Sequence, residues 1–194
     1  MDSGKLKKGT FIMLKKRLEK AINDQVNFEI YSSYLYLSMS SWFTSKNLVG
    51  FATWMRVQAQ EELIHAMKFF NYVNERGGRA ILTQIKGPDT EWKSPLEAFE
   101  DAYKHELVVS SKICNIADIA LEEKEHMTHN MIQWFINEQV EEEASAKGVV
   151  DKLKLIKDNP GGLFMLDTEL GQRVFNSALL AVAGLGGPGA GGAP

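Results

Sequence analysis

The chain has 194 residues and a net charge of −3, with 22 lysines and arginines against 25 aspartates and glutamates. This length suits one domain of good size or two small ones, and the charge excludes the basic face that nucleic-acid binding needs. No apolar run approaches a membrane span, and the apolar stretch at 11–14 is too short for a signal-peptide core, so we expect a cytoplasmic protein. Cys114 is the only cysteine, which excludes an internal disulfide and a thiolate metal site. Its helical context is typical of a small core residue.

Four long stretches carry apolar residues at three- and four-residue intervals, the pattern of amphipathic helices. The predicted spans are about 13–46, 51–76, 95–121 and 129–157. At the start of the third span, Ser94 and Glu97 are spaced as a capping box around Pro95. Few prolines interrupt these spans, so the sequence predicts an all-α chain with a four-helix bundle at residues 13–157.

The connections between these helices suggest their topology. A short break near residues 47–50 makes the first two helices antiparallel neighbours. Residues 77–94 lack helical periodicity and are long enough to span a helix, which predicts a long crossover and an up-up-down-down order. Residues 161–183 predict a short C-terminal fifth helix, whereas 1–12 suit a flexible Lys-rich arm and the Gly/Ala/Pro-rich 184–194 a disordered tail.

Each of the four long helices carries an acid in the middle of its apolar stripe, namely Glu29, Glu62, Glu106 and Glu142. Burying an isolated carboxylate is costly unless it protonates or is neutralised, and a shared metal ion neutralises several at once. His65 follows Glu62 by three residues and therefore lies on the same side of its helix, and Gln139 precedes Glu142 by three. Oxygen donors with one imidazole favour divalent iron or manganese, with zinc as a competitor.

Other acids and histidines have a simpler interpretation. Glu61, Glu141 and Glu143 by themselves suit a solvated helix face. The remaining histidines, His105, His126 and His129, are more typical of surface or satisfied residues than of ligands. A plain helical bundle that binds a partner protein would, however, leave the four inward acids uncompensated.

Four segments resemble the motifs of the ferritins in their haem-free prokaryotic form: 25–36, 60–66, 103–106 and 133–143. The resemblance covers about residues 13–172. It implies a ferritin-like four-helix bundle with a long crossover between the second and third helices and a short fifth helix. It also implies a ferroxidase that oxidises Fe(II) with O₂ at a di-iron centre and stores Fe(III) as mineral inside a cage of about 24 identical subunits.

The same resemblance implies a role for individual residues. For the first iron the implied ligands are Glu29, Glu62 and His65, and for the second they are Glu62, Glu106 and Glu142, with Gln139 close by. A third iron site is implied at Glu61, Glu138 and Glu141. Tyr36 and Trp134 match aromatic residues beside the centre that could give up an electron during O₂ reduction.

Three features distinguish the chain from related di-iron proteins. Haem-binding relatives repeat Glu-x-x-His in the fourth helix. Here residues 139–142 read Gln-Val-Glu-Glu, so we expect no haem and a second iron without a histidine ligand. The alternative function is a non-storage oxidase or peroxidase of the rubrerythrin type, but the chain has no cysteine-rich module. A miniferritin would lack the fifth helix, whose apolar residues have no obvious place in one bundle and predict a subunit contact: Val174, Leu179, Leu180 and Val182.

Overall fold

The computed structural model describes residues 13–185, and within them all regular structure is helical. The helices are α1 Lys16–Ser45, α2 Val49–Glu75, α3 Pro95–Glu122, α4 His126–Ile156, α5 Pro160–Leu170 and α6 Ala178–Val182. The predicted arm at 1–12 and residues 186–194 of the predicted tail lie outside the described part. No helix between residues 13 and 185 is long and apolar enough to cross a membrane.

Side-chain caps mark where α3 and α4 begin. The hydroxyl of Ser94 accepts a hydrogen bond from the Glu97 amide at 3.1 Å, as the capping pattern predicts, although the Glu97 carboxylate turns to the amide of Lys93. Helix α4 begins a few residues earlier than predicted, because the carboxylate of Glu125 accepts from the amide of Thr128 at 2.8 Å. The carboxylate thereby satisfies one of the backbone donors that the first turn of a helix leaves unpaired.

The crossover at 76–94 runs along the length of α1. The side-chain oxygens of Asn23 and Asn27 accept from the amides of Ile81 and Thr83, at 2.6 and 2.7 Å. Further along α1, the Ser38 hydroxyl donates to the carbonyl of Asp89 at 2.7 Å. These side chains supply partners for backbone groups that no helix satisfies, and the crossover returns the chain to the end where α2 began.

The four-helix bundle is confirmed, but the predicted up-up-down-down order is wrong. Helices α1 and α2 are antiparallel, since Ser33 bonds to the carbonyl of Ala59 and Ser40 to that of Ala52. Helix α3 also runs against α1, because Arg17 near the start of α1 pairs with Glu122 at the end of α3. The order is therefore up-down-down-up: the loops 46–48 and 123–125 reverse the chain, whereas the crossover makes α3 parallel to α2.

Two apolar clusters fill the two ends of the bundle. One contains, among others, Met39, Phe43, Phe51, Phe99 and Leu153, and the other contains Leu18, Ile22, Phe69, Ile113 and Phe135. Each cluster combines buried residues from all four long helices. Burial of this apolar surface supplies most of the favourable free energy of folding. The buried acids lie between these clusters along the sequence of each helix. Cys114 does not join them: it is exposed, which corrects the core placement predicted for it.

The C-terminal segment differs from the predicted single helix at 161–183. Helix α5 ends at Leu170, and residues 171–177 form a non-helical linker before the five-residue α6. Gly171 has low helix propensity, and the side chain of Asn176 restarts the helix by accepting from the amide of Ala178 at 3.1 Å. Leu179 packs on Ile64 within the same subunit, whereas Val174 is 81% exposed, so only part of the predicted apolar face is left unpartnered.

The start of α2 touches the backbone of α5. A Cβ added at Gly50 would lie 1.6 Å from the carbonyl oxygen of Asp167, so only glycine permits this approach. The Asp167 carboxylate also accepts from the amide of Phe51 at 3.0 Å, satisfying a donor in the first turn of α2. This contact fixes α5 on the bundle and sets the starting point of the 171–177 linker.

Candidate metal centre

Each of the four long helices contributes one fully enclosed carboxyl group to the middle of the bundle. The exposed fractions are 0% for Glu29, 1% for Glu62 and Glu106 and 7% for Glu142. The helical periodicity that predicted them as inward-facing is therefore correct, because each lies on the same face as its buried apolar neighbours. Such a concentration of buried acids requires compensating donors or cations.

Glutamine amides supply part of that compensation. Gln58 donates from Nε2 to Glu62 at 2.9 Å and to Glu142 at 2.7 Å, so one amide joins α2 to α4. Gln25 donates to Glu29 at 2.9 Å. Neither glutamine was assigned a role from the sequence, although a signal was present: each stands four residues before its acid and therefore one turn away on the same helix face.

Glu106 has its own set of donors. The hydroxyl of Tyr36 on α1 donates to one carboxylate oxygen, and Nε2 of Gln139 on α4 lies 3.2 Å from the other. Gln139 also reaches the hydroxyl of Ser110 at 3.2 Å, a residue that the sequence analysis left out. Tyr36 and Gln139 thus lie where the sequence predicted them, beside the central acids, and both bind Glu106 directly.

Glu62 and His65 face one another on α2, with 3.5 Å between Oε2 and Nδ1. Within residues 13–185, three ligand-type atoms of this layer are buried without a hydrogen-bond partner: Glu29 Oε2, Glu62 Oε2 and His65 Nε2. Unpartnered buried polar atoms are rare in folded proteins and require an explanation. Carboxylate oxygens free to take a cation, beside an imidazole, form a donor set that fits divalent iron.

Glu62 dominates the electrostatics of the centre. Burial, followed by the charge of Glu62, raises the pKa of Glu29 to about 8 and that of Glu142 to about 7, and raises the pKa of Glu106 well above its usual range. Burial also opposes ionisation of Glu62, but its ion pair with His65 and the hydrogen bond from Gln58 outweigh burial and lower its pKa. A divalent cation would stabilise all four carboxyls in their ionised form.

Burial disfavours the protonated ring of His65, but its pairing with Glu62, together with Glu29 and Glu142, raises its pKa to about 10. The ring of Trp134 meets His65 edge-on at a centroid distance of 5.5 Å. Trp134 is therefore next to a proposed ligand, the position that the family resemblance implies for it. Lys68 makes a cation–π contact with the same indole, with its Nζ 4.4 Å from the ring centroid.

The acids assigned by resemblance to a third iron site line one cavity of about 260 Å³ beside the centre. Glu61 is buried, Glu138 is half-buried and Glu141 is exposed, so the solvated-face interpretation holds for Glu141 but not for Glu61. Among residues 13–185, one group of three acids or histidines has ligand atoms all within 4.8 Å of one another: His65, Glu138 and Glu142. The family resemblance assigns these three residues to different irons: His65 to the first, Glu142 to the second and Glu138 to the third.

The cavity is also lined by a cation that was not expected from the sequence. Arg173, in the 171–177 linker, forms an ion pair with Glu61 and donates to Gln58 Oε1 at 2.8 Å. No motif in the sequence marks this residue, because it lies over a hundred residues from its partners.

The other histidines lie outside the centre, as the sequence indicated. His105 is satisfied by the Ser32 hydroxyl at 2.7 Å and stacks on Phe28, with 5.1 Å between ring centroids. His126 is exposed and His129 half-buried.

Known proteins of one family are similar to this chain in sequence and in fold. The Ferritin-like domain matches residues 19–156. The chain is 45% identical over 161 residues to a bacterial non-heme ferritin of Bacteroides fragilis, covering 83% of this chain and 100% of that one. A bacterial non-heme ferritin of Campylobacter jejuni is 40% identical over 155 residues, covering 80% and 93%.

The fold is similar to that of archaeal proteins. An open pore ferritin from the hyperthermophilic archaeon Archaeoglobus fulgidus superimposes with a TM-score of 0.82 at 51% identity, covering 83% of this chain and 98% of that one. A closed form engineered from the Archaeoglobus fulgidus ferritin gives 0.83 at 51% identity, covering 84% and 99%. With this fold, these relatives and the family match over most of its length, the chain belongs to the ferritin-like domain family.

Proposed function

We propose that the protein is an iron-storage ferritin that oxidises Fe(II) with O₂ and keeps the Fe(III) as mineral inside a homo-oligomeric cage. The observation that carries the proposal is the layer of four buried carboxyls, one from each long helix, with His65 beside Glu62. This donor set suits iron, and the chain's relatives are named non-heme ferritins. Iron is here the substrate and the cargo of the protein.

The proposed ligands of the first Fe(II) are Glu29, Glu62 and His65, and those of the second are Glu62, Glu106 and Glu142. Glu62 is the bridging group, and its charge affects the pKa of each of the other three carboxyls. Gln139 lies within hydrogen-bond distance of Glu106 and remains close to the second ion. We assign a third iron to Glu61, Glu138 and Glu141, because these residues line the adjoining cavity.

The chain's own groups prepare the centre for this reaction. Gln25 and Gln58 orient three of the carboxylates, so less ordering is needed when Fe(II) arrives. Protons held by Glu29 and Glu142 leave as the cations bind, because their pKa values of about 8 and about 7 then fall. Two Fe(II) supply the two electrons that, with two protons, reduce O₂ to H₂O₂. Tyr36 and Trp134 lie beside proposed ligands, where they can donate the further electrons that reduction to water requires.

Storage requires an enclosed volume, so we propose a cytoplasmic cage of about 24 subunits without haem. Large apolar side chains that are exposed on the single chain supply contact surface: Tyr34, Leu37, Ile81, Leu82 and Val174. Exposed apolar groups of this size are typical of subunit interfaces.

The test combines iron oxidation with particle size. Fe(II) is added anaerobically to the metal-free protein, air is admitted, and absorbance is followed while light scattering reports the assembly. We expect rapid oxidation by a large shell that continues to take up iron far beyond the centre's capacity. A dimer-sized particle that stops at two irons per chain would contradict storage and favour a rubrerythrin-type oxidase.

Variants of the bridging acid test the centre itself. Glu62→Ala and the less disruptive Glu62→Gln should each slow the fast oxidation phase by roughly 10–100-fold, the usual effect of disturbing a metal site. Glu91→Ala removes an exposed acid from the crossover and serves as the matched control. Equal rates for Glu62→Gln and Glu91→Ala would refute the assignment.

A further inference from the structure

A cation from the C-terminal linker reaches the edge of the metal centre. Arg173 follows the end of α5 and extends onto α2, where its Nη2 donates to Glu61 Oε2 and Gln58 Oε1. Its guanidinium carbon also lies 4.3 Å from the ring centroid of Trp54, which is a cation–π contact. With its side chain only 20% exposed, Arg173 is held in one place by three different groups.

Arg173 determines which end of the Gln58 amide faces the acids. A guanidinium has donors only, so Gln58 must turn its carbonyl oxygen toward Arg173. The amide nitrogen is then directed at Glu62 and Glu142, and it donates to both. Gln58 is completely buried, and the opposite orientation would set its carbonyl oxygen against two carboxylates and its amide nitrogen against the guanidinium. Arg173 is thus a positioning residue for two proposed iron ligands.

The same guanidinium lines the cavity to which a third iron is assigned. It lines the cavity together with Glu61, Glu138 and Glu141, and it uses an oxygen of Glu61 for its ion pair. Arginine does not lose its proton under ordinary conditions, so its positive charge stays in the cavity. A divalent ion at Glu61 would meet both an occupied ligand and a like charge at short range.

We propose that Arg173 is an internal competitor for the third iron, which binds at Glu61 only when the guanidinium is displaced. The linker at 171–177 permits such a movement, since it is non-helical and leads into a helix of only five residues. The competition keeps the third position weaker than the first two and favours onward transfer of iron from it. This inference rests on the proposed function, because it assumes the assigned third position.

The decisive experiment is calorimetric titration of the metal-free protein with Zn(II), a redox-inert probe for these ligands. Arg173→Gln should bind a third ion roughly 10-fold more tightly than the unmodified protein, because a charge-assisted hydrogen bond no longer competes for Glu61. Arg173→Lys keeps the charge and should leave the third affinity within a few-fold of the original. Arg56→Gln removes an equal charge from an exposed site on α2 and is the matched control.

A second pair of variants ties the effect to Glu61. Glu61→Gln should weaken the third ion, and adding Arg173→Gln to it should give no gain, because the competed ligand is absent. Light scattering and thermal melts of each variant establish that the assembly is retained. If Arg173→Gln and Arg56→Gln bind the third ion equally, the competition does not exist.

Trp54 provides a readout in the protein with Arg173 intact. Displacing the guanidinium from the indole should change tryptophan emission during addition of the third Zn(II), and Trp54→Phe should abolish that change. Emission that is constant at the third ion would overturn the proposal. Failure of the unmodified protein to bind the first two ions would instead contradict the proposed function, so the two failures are distinguishable.

Discussion

The phenol hydroxyl of Tyr36 on α1 donates a hydrogen bond to the carboxylate of Glu106 on α3, and both side chains are buried to within 1%. Burial, together with the charge of Glu106, raises the pKa of Tyr36 well above its usual range, so the phenol keeps its proton and remains a donor. A redox-capable aromatic residue is therefore bonded directly to a proposed ligand of the second iron.

Replacing Tyr36 by phenylalanine removes this donor and leaves a buried carboxylate oxygen unpaired. We expect Tyr36→Phe to slow Fe(II) oxidation by roughly 10-fold, measured by stopped-flow absorbance, with the cage still assembled. Tyr31→Phe is the control, since it removes a phenol hydroxyl from the same helix at a half-buried position outside the proposed centre. Unchanged kinetics in Tyr36→Phe would show that the phenol has no part in the reaction.

The metal-free protein should become less stable as the pH rises from about 5 to about 8. Burial raises the pKa of Glu29 to about 8, whereas the unfolded side chain titrates near 4.5, so the folded state binds more protons in this interval. Its stabilising contribution is complete below the unfolded value and is lost as the pH rises through the folded value. Glu142, with a pKa of about 7, acts in the same direction.

Denaturant unfolding of the metal-free protein at a fixed subunit concentration measures this slope. The glutamine in Glu29→Gln cannot ionise. This variant should therefore reduce the change in the free energy of unfolding between those pH values, by a few kcal/mol at most. Glu91→Gln, at an exposed position, should leave the slope intact. A midpoint that rises with pH across the interval would mean that these acids are ionised in the folded state.

Metal binding should release protons from the same groups. At pH 6.5 Glu29 and Glu142 are largely protonated, and His65, with a pKa of about 10, carries a proton that a coordinated ring nitrogen must lose. We expect these three groups to release roughly 2–3 protons when two Zn(II) bind, with a further contribution from Glu106, whose pKa is also raised, and we expect the affinity to rise with pH. Calorimetry in buffers of different ionisation enthalpy counts these protons, and Glu142→Gln should lower the number by about one. Heats independent of the buffer would contradict the prediction.

The contact between α2 and α5 depends on the absence of a side chain at Gly50. Gly50→Ala places a methyl group 1.6 Å from the Asp167 carbonyl oxygen, so α5 must move, and we expect a loss of about 2 kcal/mol in the free energy of unfolding. Gly148→Ala is the matched control in α4: nothing lies within 4 Å of the added methyl, and alanine favours the helix by up to about 1 kcal/mol. Chemical denaturation that ranks Gly50→Ala at or above Gly148→Ala would refute the account.

The prediction from sequence was most successful where the cause is local. The spacing of apolar residues located the four long helices within a few residues of their bounds, and it placed Glu29 and Glu106 on buried faces. It failed for the C-terminal segment, because Gly171 and the contacts of Arg173 interrupt a stretch whose composition still favours a helix. It also gave no role to Gln58, whose importance depends on partners from two other segments.

The sequence by itself determined which side chains share a helix face, because that depends on a period of about 3.6 residues within one segment. Only the tertiary structure decided the up-down-down-up order, the convergence of His65, Glu138 and Glu142, and the reach of Arg173 to Gln58 and Glu61. These contacts join residues on separate elements, and their formation depends on how the helices and the linker pack. No local pattern records that packing, since it results from burying all the apolar faces at once.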